Sequence, residues 1–333
     1  MAVVGYGYWG PNLVRNFSQA DGIDVVAVCD ARPERLAAAT KVYPALRAYR
    51  DLDEMLDDVS VDAVAIATPV TSHFAIAKKC LERDKHVFVE KPFTATVAEA
   101  EELVALGDAR GRTVMVDHTF IYTSAVRKIR DLLDAGHLGR LYYYDSVRVN
   151  LGLFQSDVSV LWDLAVHDLS IMDYLVGRMP TSVAAIGMAH VDGQPENMAY
   201  LTCTFDDRLI AHFHVNWLAP VKVRQTLIGG SDRMVVFDDV DMSEKIKVYD
   251  KGIILDETDA NLYQRHVGYR TGDMWAPRLD NVEALAVEAR HFAECVATQT
   301  APLSDGRAGL RVIRILEAAT RSMANGGTPV RLG

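Results

Sequence analysis

The stretch Ala2-Val3-Val4-Gly5-Tyr6-Gly7-Tyr8-Trp9-Gly10 joins a β-branched apolar run to G-x-G-x-x-G, and a segment of helical period follows from about Pro11 to Ser18. In such a strand–turn–helix each glycine has a task. The first permits the tight turn, the second lets a pyrophosphate approach the backbone, and the third lets helix and strand pack closely. The helix N-terminus then faces negative charge. Alone, the pattern reads equally well as an ordinary glycine turn. The second apolar run, however, ends at Asp30, about 20 residues past Gly10, where an acid that hydrogen-bonds a ribose diol belongs. Together they predict a dinucleotide held by Gly5, Tyr6, Gly7, Tyr8, Trp9, Gly10 and Asp30. A carboxylate there repels a 2′-phosphate and favours NAD, while Arg32 offsets part of that repulsion and leaves NADP open. The first strand is short for a central one, so native residues upstream of Met1 are expected.

Outward from this motif, β-branched runs recur every ~20–25 residues with helix-period segments between them, the pattern of βα units on a parallel sheet. The runs are Asp24 to Cys29, Asp62 to Ala67, His86 to Val89 and Thr113 to Val116. Thr96 with Glu99, and Asp51 with Glu54, mark helix starts as capping boxes. After Tyr122 the texture changes. Helices are expected at Ser124 to Ala135 and Val160 to Leu175, with strand-like runs at Leu141 to Val149, Ala199 to Phe205, Arg208 to Trp217, Arg224 to Ile228 and Met234 to Phe237. Successive strands without intervening helices predict a largely antiparallel sheet. Helical period returns at Val282 to Ala297 and after Gly309. The expected architecture is α/β: a doubly wound parallel Rossmann domain over 1–120, then an α+β domain with an open, largely antiparallel sheet over 121–333.

Composition narrows the function. The chain has 333 residues, 50% hydrophobic and 24% charged, which is ordinary globular composition. A net charge of −10 argues against nucleic acid and anionic membranes as partners and favours a small molecule. Cys29, Cys80, Cys203 and Cys295 are widely separated, which suits a reducing, cytoplasmic compartment. No apolar run approaches the ~18 residues of a membrane span. His212 and His214 share a strand face, but no third ligand accompanies them, so no metal is expected.

Catalytic candidates follow from the strand ends. Ala67-Thr68-Pro69 and Glu90-Lys91-Pro92 each lie at the carboxyl end of an expected strand, where ligands bind in open α/β sheets. From position alone, Lys91 reads more readily as a solvated surface lysine. Asp163 and His167 are i, i+4 neighbours on an expected helix, and a carboxylate beside an imidazole favours its charged form. That pair alone reads equally as a helix-surface contact.

Taken in order, the strand-G-x-G-x-x-G, Asp30, Thr68-Pro69 with His73, Glu90-Lys91-Pro92 and Asp163-x-x-x-His167 resemble the Gfo/Idh/MocA family of NAD(P)-dependent sugar and polyol oxidoreductases. The resemblance spans nearly the whole chain. It implies that Lys91, Asp163 and His167 line a substrate site against the nicotinamide, and that Thr68, Pro69, His73 and Glu90 line the cofactor groove. It also implies a homodimer or homotetramer through the C-terminal sheet. His167 is then the general base, Asp163 its orienter, and Lys91 the group that steadies the substrate oxygen. Two stretches depart from the common pattern: Val160-Leu161-Trp162 replaces small residues before the aspartate, and Asp117-His118-Thr119-Phe120 stands where many members carry asparagine and arginine. Asn150-Leu151-Gly152 through Trp162-Asp163 is similar to the nucleotide-sugar 3-dehydrogenase branch. Substrate contacts are expected from His118, Tyr122, Asn150, Trp162 and Arg270, within loops around Tyr122, Asn150 to Val158 and Leu262 to Trp275. The same family also holds NAD-dependent glycosidases and non-catalytic sugar sensors, which stand as alternatives.

Overall fold

In the computed structural model, which describes residues 1–333 except 59, 153–157, 256–266 and 333, six strands form a parallel sheet. They are β1 (Ala2–Val4), β2 (Ala27–Cys29), β3 (Arg47–Tyr49), β4 (Ala63–Ile66), β5 (His86–Glu90) and β6 (Val114–Asp117), in the order β3-β2-β1-β4-β5-β6. Helices α1 (Gly10–Gln19), α2 (Pro33–Val42), α3 (Leu52–Asp58), α4 (Val70–Glu82) and α5 (Val97–Arg110) make the crossovers. Both capping signals have physical counterparts. Thr96 and Glu99 bond each other's backbone N–H groups at the start of α5, and Asp51 accepts the Glu54 N–H at 3.0 Å before α3. β3 carries no apolar run because two of its three residues are exposed. Strand order reverses beside β1, so the turns after β1 and β4 flank the switch point where this architecture binds ligands.

A second sheet is built from β7 (Leu141–Leu151), β8 (Ser182–Met188), β9 (Met198–Thr204), β10 (Ile210–Asn216), β11 (Leu218–Gly230), β12 (Met234–Asp238), β13 (Ile246–Tyr249), β16 (Met274–Trp275) and β17 (Val330–Arg331). A separate hairpin pairs β14 (Gly252–Leu255) with β15 (Val267–Arg270). The order is β16-β13-β12-β11-β7-β10-β9-β8-β17, and within it β7 and β10 pair in parallel while the other pairs are antiparallel. One face is apolar and buried through Tyr144, Phe213, Leu201 and Ala185, and α6 (Ser124–Asp134) and α7 (Val166–Val176) belong to this part of the chain. The pleat puts Ile186, Met188, Tyr200 and Ile210 on the opposite face, each more than 40% exposed.

Helices α8 (Ala284–Thr298) and α9 (Gly306–Ala324) follow, and here the units differ from the expected spans. Residues 1–123 and 282–317 form one compact unit, and 124–281 with 318–333 the other. The reason is packing: Phe292 on α8 closes an edge-to-face cluster with Phe17 and Phe88, at centroid distances of 5.9 and 5.6 Å. Such pairs contribute about 0.5–1.5 kcal/mol each beyond area burial. Helical period in the sequence shows that α8 has an apolar face, not which core receives it.

Candidate functional site

The glycine turn has the dimensions of a phosphate cradle. Gly5 takes φ +93°, and a Cβ there would lie 2.5 Å from the Ala67 carbonyl oxygen. A Cβ at Gly10 would lie 2.2 Å from the Gly5 oxygen, so loop and helix touch through bare backbone. Gly7 is different: its nearest neighbour would be the Arg32 guanidinium at 3.6 Å, which leaves the space above it for a ligand. Tyr8 is 90% exposed at the rim. At the end of β2, Asp30 is buried and accepts the Tyr6 N–H at 2.8 Å, the Arg32 N–H at 2.9 Å, and the Arg32 guanidinium at 3.1 and 3.2 Å. Burial raises its pKa, but the bonds from Arg32 and Tyr6 outweigh that and hold it below the usual value. These residues fit a dinucleotide: an open approach over Gly7 and an ionised acceptor at the expected distance from the turn.

At the ends of β4 and β5 the predicted groove residues interlock. Thr68 accepts a hydrogen bond from Ser72 at 2.7 Å, and Pro69 leads into α4. His73 is buried with Nε2 2.8 Å from the Thr68 carbonyl and Nδ1 2.9 Å from the Pro92 carbonyl. Burial lowers its pKa, and the ring lies between the turn after β4 and the one after β5, within hydrogen-bond distance of a carbonyl in each. Glu90 accepts the Lys91 N–H at 2.9 Å, and Lys91 precedes proline in a cis peptide. Burial, helped by the charges of Lys91 and Arg311, drives His118 down to about 3, so it is a neutral imidazole. Tyr122 is 2% exposed with its hydroxyl 3.0 Å from that of Ser304.

In the other unit, Asp163 lies in a π-helical turn, Leu161–Ala165, that runs into α7, where His167 sits. The π turn widens the helix locally, and such turns concentrate at functional sites. Asp163 Oδ2 accepts the Trp217 indole N–H at 3.2 Å. Trp162 donates its own indole N–H to Thr320 at 3.0 Å. Next to His167, Asp168 forms a two-bond pair with Arg148 of β7, at 2.6 and 3.1 Å, with both side chains buried. That pair fixes α7 on the sheet, and removing one partner of such a pair costs about 3–5 kcal/mol. Asn150 lies on β7 with its Oδ1 buried. Arg270 bonds Asp250 and the Asp232 carbonyl. The expected loop segments 153–157 and 262–266 lie outside the described residues. His212 bonds Thr202, and His214 stacks on Tyr200 at 4.5 Å.

Sequence reasoning missed Trp217 as the partner of Asp163, Arg148 as the anchor of α7, and Asp117 and Glu288 beside the glycine turn. Asp117 accepts the Trp9 indole N–H at 2.8 Å. Each of these contacts spans 20 residues or more of sequence, and no local pattern encodes them.

Comparison with known proteins places the fold and the family. Residues 1–118 match the model described as an oxidoreductase family with an NAD-binding Rossmann fold, and residues 126–236 match the GFO/IDH/MocA C-terminal domain. The chain is 28% identical over 312 residues to a UDP-N-acetylglucosamine 3-dehydrogenase of Acidithiobacillus ferrooxidans, covering 93% of each. It is 25% identical to a D-apiose dehydrogenase of Paraburkholderia graminis, covering 98% of this chain and 88% of the relative. A solved structure of a UDP-N-acetylglucosamine 3-dehydrogenase from A. ferrooxidans superposes with TM-score 0.83 at 26% identity, covering 97% of both chains.

Proposed function

This chain belongs to the Gfo/Idh/MocA family of NAD-dependent oxidoreductases, and we propose that its substrate is the secondary alcohol, or in reverse the ketone, of a nucleotide-linked sugar, a free sugar or a cyclitol. The observation that carries the reading is the near full-length similarity to a nucleotide-sugar 3-dehydrogenase in a chain that carries Lys91, Asp163 and His167. NAD supplies the hydride acceptor, C4 of its nicotinamide. The protein supplies the rest. His167 takes the proton from the substrate hydroxyl, and Asp163, steadied by the Trp217 indole N–H, orients the imidazole. Lys91 donates to a substrate oxygen and stabilises its developing negative charge.

Asp30 takes the ribose diol of the cofactor, and Gly7 gives the pyrophosphate its approach. The site of action is the cytoplasm, in keeping with four cysteines that are all unpaired and buried. Among the described residues no helix is long and apolar enough to cross a membrane. The enzyme works as a homo-oligomer through the face carrying Ile186, Met188, Tyr200 and Ile210, an apolar stripe suited to a second copy of itself. Light scattering then gives a multiple of the 36.8 kDa chain mass, and Ile186→Glu lowers it. A purely monomeric wild type removes this part of the reading.

The test of function is absorbance at 340 nm with enzyme and NAD across UDP- and dTDP-linked hexoses, free sugars and cyclitols. NADH production on one class supports the reading and names the class. Product release without net NADH would instead indicate a hydrolase, and sugar binding without turnover in either direction a sensor.

A further inference from the structure

Three elements of the first unit converge behind the glycine turn. Trp9 closes the turn, Asp117 ends β6, and Glu288 comes from α8. Asp117 uses both oxygens as acceptors: Oδ2 takes the Trp9 indole N–H at 2.8 Å and Oδ1 takes the Thr119 hydroxyl at 2.5 Å. Glu288 is 0% exposed, and neither of its carboxyl oxygens meets a hydrogen-bond donor among the described residues. It faces Asp117 and Thr119, with Glu90 beyond. The Thr119 hydroxyl has one proton and gives it to Asp117. A buried carboxylate without a donor is far costlier than the protonated acid, and an acid can bond an acceptor where a carboxylate cannot.

We propose that Asp117 and Glu288 are positioning residues of the dinucleotide turn: Glu288 is held as a neutral carboxylic acid whose O–H is directed to the Asp117–Thr119 pair, and Asp117 thereby fixes the Trp9 indole and the G-x-G-x-x-G backbone. Other charged and titratable groups nearby are accounted for. Glu90, at the end of β5, is a second buried acid that faces Asp117 and is raised by burial and by Asp117, with Lys91 partly offsetting this; Lys91 with Arg311 also acts on His118. Tyr122 is bonded to Ser304, and on the α1 side Arg15 pairs with Glu283 at 2.6 Å. Burial, then Asp117 and Glu90, pushes the Glu288 carboxyl well above the usual carboxylate range, in agreement with this geometry. Loss of that proton sets two carboxylates against each other beneath Trp9 and loosens the turn. The inference needs only the NAD site and is independent of which alcohol is oxidised.

The test is the dissociation constant of NAD by calorimetry from about pH 6 to about pH 10, for the wild type, Glu288→Gln and Trp9→Phe, with thermal melts alongside. The wild type weakens by about threefold to tenfold as pH rises, the scale of one ordinary hydrogen bond. Glu288→Gln, which keeps a donor and cannot ionise, gives a distinctly shallower profile, with the remaining slope belonging to Glu90. Trp9→Phe, which leaves the buried acids in place, binds NAD more weakly at every pH and shows no slope. A flat wild-type profile, an unchanged profile in Glu288→Gln, or wild-type affinity in Trp9→Phe overturns the proposal.

Discussion

Arg32 folds back on Asp30, its Nε and Nη2 donating to the two oxygens of one carboxylate at 3.1 and 3.2 Å. In the proposed reading the pair meets the adenosine ribose of the dinucleotide, and its sign decides cofactor choice. Asp30 is a buried acceptor for a diol and a repulsive charge for a 2′-phosphate, and Arg32 is 52% exposed and restrained by the same acid. Asp30→Ala is therefore expected to lower kcat/KM for NAD by roughly 10–100-fold, the cost of a lost charge-assisted bond pair. It also raises kcat/KM for NADP, because Arg32 is released to meet the phosphate. Steady-state kinetics with both cofactors check this; an unchanged NAD/NADP ratio contradicts it.

The three glycines of the turn separate by function. At Gly10 an added Cβ collides with the Gly5 oxygen at 2.2 Å, whereas at Gly7 the nearest protein atom is 3.6 Å away. Gly10→Ala is expected to lower the melting temperature by several degrees, the shift that a strain of about 1–3 kcal/mol produces. Gly7→Ala is expected to melt like the wild type yet bind NAD at least about tenfold more weakly, since its methyl group occupies the pyrophosphate approach. Melts and NAD calorimetry on the two variants distinguish the roles.

Much of this was legible in the sequence for physical reasons. Strands β1, β4 and β5 are buried on both faces and appear as continuous apolar runs, and the Thr96–Glu99 cap is a local device written in four residues. The strand–turn–helix at Gly5 to Gly10 is legible because its glycines meet backbone constraints at fixed offsets, and the acid after β2 follows at a fixed distance along the chain. The rest depends on tertiary pairing. β3 is half exposed, and β8 pairs with β9 and β17, one of them two residues long near the C-terminus. The assignment of α8 to the first unit rests on Phe292 meeting Phe17, and the supports Trp9–Asp117, Asp163–Trp217 and Arg148–Asp168 join distant segments. Among the expected substrate residues, His118 and Tyr122 are placed in the interior of the first unit, and Trp162 and Arg270 are hydrogen-bonded within the second.

The buried acid on α8 also sets a pH dependence of stability. Burial first, then Asp117 and Glu90, raises the Glu288 pKa in the folded state. An acid raised on folding makes the folded chain bind more protons than the unfolded one, so stability falls as pH rises from the unfolded value of ~4.3 toward the folded pKa. Glu288→Gln removes that loss. Its melting temperature is expected to match the wild type near the unfolded value and to exceed it increasingly above it, with Glu90, raised the same way, leaving a residual slope. Scanning calorimetry across pH checks the sign. A variant that melts below the wild type at alkaline pH, with the wild-type slope intact, contradicts it.

The central claim is that the enzyme transfers a hydride between NAD and a sugar alcohol whose oxygen is handled by Lys91. Its most direct test is NADH formation at 340 nm by wild type and Lys91→Ala on the best substrate, with NAD affinity measured in parallel. The account predicts a loss of ~10²-fold or more in turnover with only a small change in NAD affinity. Near-normal turnover in Lys91→Ala would contradict it and remove the lysine from the mechanism.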